Sequence, residues 1–167
     1  MAKSKKSKKS PLTIIFSVLA LVFALVSLAF ITMDGIGYTV TIGEKTSEAI
    51  FPYLVRDIVF GAKAENGTVL LEPNVALLVG LILIIFGALI GIGTYYCKWM
   101  GVLGGTVTLV GSILMFCATV LFGEFSGSIG VVIGQINKIL GPGFILMGIV
   151  GLLSSICSLF GAIIKRK

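Results

Sequence analysis

The sequence predicts an all-α membrane protein: a four-transmembrane-helix bundle with a small mixed strand and helix cap on the extracellular side. Three observations predict it. Hydrophobic residues make up 57% of the chain and charged residues only 12%, against roughly 25% charged in soluble domains. The apolar residues gather into four runs, 12–33, 75–96, 100–122 and 142–164, and none of them contains Asp, Glu, Lys, Arg or His. The charges outside the runs are sorted by sign. With the N-terminus inside, nine of the thirteen Lys and Arg lie on the cytosolic side and all seven acids lie outside. That is the bias of the positive-inside rule, and it puts both termini in the cytosol, with the plasma membrane as the expected location.

Residues 1–11 form a basic tail. Lys5, Lys6, Lys8 and Lys9 are expected to meet anionic lipid headgroups, each contributing about 1 kcal/mol near the surface. Nucleic-acid binding is the other use of such a run. Apolar spans abut both this run and the basic end 165–167, so the tail reads as a topology anchor and no nucleic-acid partner is expected. The first span, 12–33, is long enough to cross a hydrocarbon core of roughly 30 Å. A secretory leader is the rival reading, with cleavage after Ser27-Leu28-Ala29. Leader cores run only about 7–15 residues, and this run is longer and stays apolar past Ala29.

The outer loop 34–74 holds six of the seven acids. Tyr38-Thr39-Val40-Thr41-Ile42 alternates as a strand does. Thr68-Val69-Leu70-Leu71 is a second β-leaning run, and Asn66-Gly67 before it is a hairpin turn pair. Asn66-Gly67-Thr68 also fits a glycosylation sequon, though the turn is the favoured reading. Between the strands, Ile50, Phe51, Leu54, Val55, Ile58 and Val59 recur at helical spacing, with Arg56 and Asp57 on the other face. Thr46 or Ser47 would cap this helix and Pro52 would fit its first turn. This stripe is the candidate partner-binding surface. A lid over the helix ends, or a helix lying on lipid, are the alternatives.

The second span, 75–96, and the third, 100–122, are joined by residues 97–99 only, so they are antiparallel neighbours. Tyr95, Tyr96 and Trp99 would lie at the inner interface, where amphipathic rings prefer to sit. Cys97 there is a palmitoylation candidate, with an unmodified thiol the plainer reading. A second outer loop, 123–141, carries Ile129, Val132, Ile133, Ile136 and Leu140 among polar residues, the pattern of a short amphipathic helix. The fourth span, 142–164, starts on Pro142, a residue suited to a first turn.

Small residues recur along the spans. Gly87 and Gly91 mark the second span, Gly104, Thr108 and Gly111 the third, and Gly148, Gly151 and Ser155 the fourth. In lipid, packing rather than hydrophobicity draws helices together, and small faces let backbones approach. Bundle packing is the expected use, with self-association as the second.

The inventory also excludes chemistry. With no histidine and no cysteine pair in a polar loop, Cys/His metal sites, His-based triads and a secreted disulfide framework are ruled out. No phosphate-binding loop or nucleophile motif is present, so neither a cofactor nor an enzymatic activity is expected. Transporters place ionisable groups within the membrane, and these spans have none.

The layout is similar to the claudin-like tetraspan plan: four spans, cytosolic ends, a long first outer loop with β character, a tight inner turn and a shorter second loop. The resemblance is one of topology. No cysteine or tryptophan lies in 34–74, where claudins carry a Trp, a Gly-Leu-Trp motif and two cysteines, so no functional residue carries over. Tetraspanins match less well, lacking here their Cys-Cys-Gly motif and larger second loop. The expected function is a non-enzymatic accessory, scaffold or adhesion-type component, bound by membrane lipid and by a protein partner or itself. The alternative is a small channel or carrier for a neutral or lipid-like solute, with a polar path between Thr108 and Ser155.

Overall fold

The computed structural model describes residues 11–42, 45–65, 67–122 and 135–164. Four of its helices are long and apolar enough to cross a membrane. They are α1 (Pro11–Ala29), continued by a 3₁₀ turn at Phe30–Thr32; α3 (Val75–Ile92), continued by a 3₁₀ turn at Gly93–Tyr95; α4 (Lys98–Phe116); and α6 (Pro142–Ile164). Among the described residues two short helices complete the set, α2 (Val55–Phe60) and α5 (Ala118–Leu121). The tight turn falls at 93–97, and Lys98 and Trp99 belong to the first turn of α4.

The long helices form a ring in which α1 packs on α6 and α3, and α4 packs on α3 and α6. The reason is legible in what each helix buries. On α1 the buried residues are Thr13, Ser17, Ala20, Ala24 and Ser27, a strict alternation of four and three. Gly101, Gly104, Gly105, Thr108, Gly111, Ser112 and Met115 repeat the spacing on α4. A seven-residue period keeps one stripe of a helix against its neighbours. Because the stripes are small, the backbones meet. A Cβ built on Gly104 would lie 2.5 Å from Gly87 O and 2.5 Å from Gly91 N, and one on Gly111 would lie 2.6 Å from Gly80 O. Many large apolar residues point the other way: Val22, Phe86, Leu103 and Phe160 are all exposed.

A sheet lies at one end of the bundle, against α6 and the short helices α2 and α5. Its central strand is β1 (Asp34–Ile42), which pairs antiparallel along one edge with β2 (Lys45–Thr46) and β3 (Ile50–Leu54), and along the other with β6 (Gln135–Leu140). A separate hairpin, β4 (Ala62–Lys63) and β5 (Val69–Leu71), turns through Gly67 at φ +82°. The strands expected at 38–42 and 68–71 are therefore present. Asn66 lies outside the described residues.

Two expectations are corrected. The helix expected over 50–59 is strand to Leu54 and helix only from Val55. Pro52 is the cause. A residue before proline is pushed out of the α region into extended backbone, here Phe51, and proline itself is accepted on an edge strand. The short amphipathic helix expected over 129–140 is, in its described part, a strand at 135–140. The second edge of β1 would otherwise leave its amides and carbonyls unpaired, and β6 supplies partners from Ile36↔Leu140 to Thr41↔Gln135. Ile129, Val132 and Ile133 lie outside the described residues.

Candidate functional site

The sheet end is where the described parts of both loops, one end of each long helix and most of the described charges converge. It is built from the chain outward of α1. After the 3₁₀ turn, Met33 O accepts the Val55 amide at 2.9 Å, which anchors the start of α2 against the end of α1. Gly35 O accepts the Gly141 amide at 2.7 Å, which brings the entry to α6 onto β1. The approach leaves no room for a side chain, since a Cβ at Gly141 would lie 2.6 Å from Asp34 O. The Phe51 ring closes over Gly37, 2.7 Å from where its Cβ would stand.

α2 plugs the centre. Leu54 N–H donates to Asp57 Oδ2 at 3.3 Å across its first turn. Asp57 also pairs with Arg56 at 3.2 Å, on the exposed side. Its other face joins the core that runs down into the bundle through Ile36, Leu77, Met115, Phe144 and Met147.

The stripe proposed as a partner surface divides here. Val55, Ile58 and Val59 are each 0% exposed, Phe51 and Leu54 are half-buried, and Ile50 alone of the six is open, at 65%. The division has a simple cause. Six apolar side chains on one short segment are best satisfied by the open end of their own bundle, where burying each contributes about 1.5–3 kcal/mol.

The helix-packing residues are brought together. Gly87, Gly91, Gly104, Thr108 and Gly111 meet across α3 and α4. Gly148 lies against Phe116, and Gly151 against Ser112, across α6 and α4. Ser155 Oγ donates to Gly105 O of α4 at 2.7 Å, and Ser154 Oγ to Ala20 O of α1 at 2.7 Å. Thr108 Oγ1 and Ser112 Oγ donate back along α4, to Gly104 O at 2.8 Å and Thr108 O at 2.9 Å. Lys5, Lys6, Lys8 and Lys9 lie outside the described residues.

Two polar residues do more than the sequence suggested. Asn74 Oδ1 accepts Leu77 N–H at 3.1 Å, capping α3, while its Nδ2 donates to Leu121 O at 2.8 Å, at the end of α5. Lys138 Nζ donates to Phe122 O at 2.9 Å and lies 6.0 Å from the Phe122 ring centroid. An amide and an ammonium thus satisfy carbonyls left over where a helix ends. Asn immediately before an apolar run is a helix-start signal, so half of the Asn74 role was readable. Its other half joins residues 47 positions apart.

Electrostatics at the site are mild. Burial, and then the neighbouring Tyr53, push the Tyr38 phenol above its ordinary pKa. Among the described residues no three His, Cys, Asp or Glu gather closely enough to hold a metal ion. Cys97, Cys117 and Cys157 are free thiols. Comparison with known protein families, curated proteins and solved structures returns no match to this chain.

Proposed function

We propose that this chain is a non-enzymatic integral membrane protein, an accessory, scaffold or adhesion-type component whose sheet end faces outward and meets a protein partner. The observation that carries the reading is the contrast between its interior and its cap. Beyond Lys98 in the first turn of α4, the long helices hold no charge, and the Thr108, Ser112, Ser154 and Ser155 hydroxyls between them are bonded to backbone carbonyls. The cap, in contrast, presents Glu48, Arg56, Lys63, Glu65 and Glu72 to solvent.

The contact surface is narrower than the apolar stripe of the loop. It consists of Ile50 and the polar rim of β2, β3 and α2. Both ends of the chain then face the cytosol, where the basic segments lie against anionic lipid, as in the claudin-like layout. The glycine stripes are occupied within the bundle, so self-association would also run through the cap. A carrier for a neutral solute would use Thr108 and Ser155. Both hydroxyls already have carbonyl acceptors, Gly104 and Gly105, which favours the scaffold reading.

The test is photo-crosslinking of the intact protein in native membranes, with the photoreactive residue at Ile50 or at Arg56. A discrete adduct, with another protein or with a second copy, is the expected result. Recovery of monomer alone, under conditions that retain known complexes, would overturn the proposal.

A further inference from the structure

A second apolar surface flanks the cap on the α3 side. Phe60 is 52% exposed, Val69 54%, Leu70 54% and Val75 68%. These residues come from α2, β5 and α3, yet they share one corner. Asn74 N–H donates to Ile58 O at 3.2 Å, tying the head of α3 to the end of α2. Gly61, at φ +84°, brings the chain so close to the hairpin that a Cβ would lie 2.8 Å from Leu71 O and 3.0 Å from Pro73 Cδ. Leu70 is extruded because the pairing skips it: Ala62 faces Leu71 and Lys63 faces Val69.

The surface is continuous with the outward stripe of α3, which runs on through Val79, Ile82 and Phe86. Its height follows from the other end of that helix. The 18 residues of α3 and the three of its 3₁₀ turn place Val75 about 32 Å from Tyr95, at rises of about 1.5 and 2.0 Å per residue. Tyr95, Tyr96 and Trp99 cluster at that far end, where Tyr96 and Trp99 are 78% and 67% exposed. Rings of this kind settle at the edge of the hydrocarbon. A core of roughly 30 Å then ends close to Val75. Phe60, Val69 and Leu70 fall at the acyl–headgroup boundary, among the exposed charges of Lys63, Glu65 and Glu72.

We infer that the β4–β5 hairpin and Phe60 form a lipid-binding foot, seated in the outer leaflet at the headgroup boundary. Apolar side chains beneath a polar rim are how interfacial segments lie on a bilayer. The inference rests on the membrane reading above. It goes beyond it by assigning part of the loop to lipid and leaving the Ile50 side for the protein partner.

The test uses the full chain in phosphatidylcholine vesicles, with Trp99→Phe removing the native indole. Leu70→Trp reports on the foot and Phe86→Trp on the middle of α3. Both positions are exposed, so neither substitution disturbs packing. Leu70→Trp is expected to emit to the blue of free indole and to lose intensity with lipids brominated high on the acyl chain. Phe86→Trp should lose more with lipids brominated near the chain end. If Phe86→Trp is quenched by brominated lipid while Leu70→Trp is quenched only by aqueous iodide, the foot is overturned and the membrane reading stands. If neither responds to brominated lipid, the membrane reading itself falls. If Leu70→Trp is shielded from both quenchers, the corner is covered by protein, which also overturns the foot.

Discussion

Around Gly87 and Gly104 the backbones of α3 and α4 meet with only the Thr108 side chain beside them, whereas around Ile58 the sheet end is filled by large side chains from α2, β1, α3 and α6. The two regions are therefore sensitive to opposite changes. The seam has no room for added atoms, because what a new Cβ at Gly104 would strike is backbone. The cap has no slack for lost atoms, because its core is made of Ile, Val, Leu and Phe. One chain uses both solutions since the helices approach along their whole length, while the loops must span the gap that four helix ends leave open.

The comparison is sharpened most by adding atoms to the seam. Gly104→Leu should destabilise beyond the roughly 1–3 kcal/mol usual for overpacking, since Gly87 O and Gly91 N cannot give way as a side chain would. Thermal unfolding in detergent should show loss of the cooperative transition. An unchanged midpoint would mean that α3 and α4 do not approach as described. Removing atoms from the cap comes next. Ile58→Ala should cost about 2–4 kcal/mol in the same assay, and a near-neutral result would show that α2 is not buried.

Polar clamps give smaller effects. Asn74→Ala removes both a helix cap and the bond to Leu121 O, for about 1–2 kcal/mol. Faster hydrogen exchange should follow at Leu77 and in the turn 118–121. Exchange confined to Leu77 would mean that the link to α5 contributes nothing. Ser155→Ala is the mildest, at about 0.6 kcal/mol, because a hydroxyl between apolar-phase helices gains little over its alternatives. A loss several times larger would point to water or solute in the seam, and would reopen the carrier reading.

Much of the bundle was legible before any coordinates. Four uncharged runs mark the helices, and the glycines of the second, third and fourth lie on the faces that pack. The first run carried the same signal in another form. Thr13, Ser17, Ala20, Ala24 and Ser27 hold the seven-residue spacing without a single glycine, so a search for glycine stripes passes over them. In the cap the spacing of Ile50 to Val59 marked a stripe of which Val55, Ile58 and Val59 are buried, but the helical period misled on its first half. Phe51-Pro52 was the contrary signal, since a residue before proline is poorly suited to a helix.

Composition and the spacings within one run were enough for the four long apolar helices, the small faces of three of them and the segregation of charge. The tertiary structure alone decided that β6 lies on β1, that Asn74 reaches Leu121, and that Val55, Ile58 and Val59 turn inward. Each of these depends on a partner many residues away. A strand edge is satisfied by whatever segment the helix ends bring beside it, and an apolar stripe is buried by whichever surface stands open next to it.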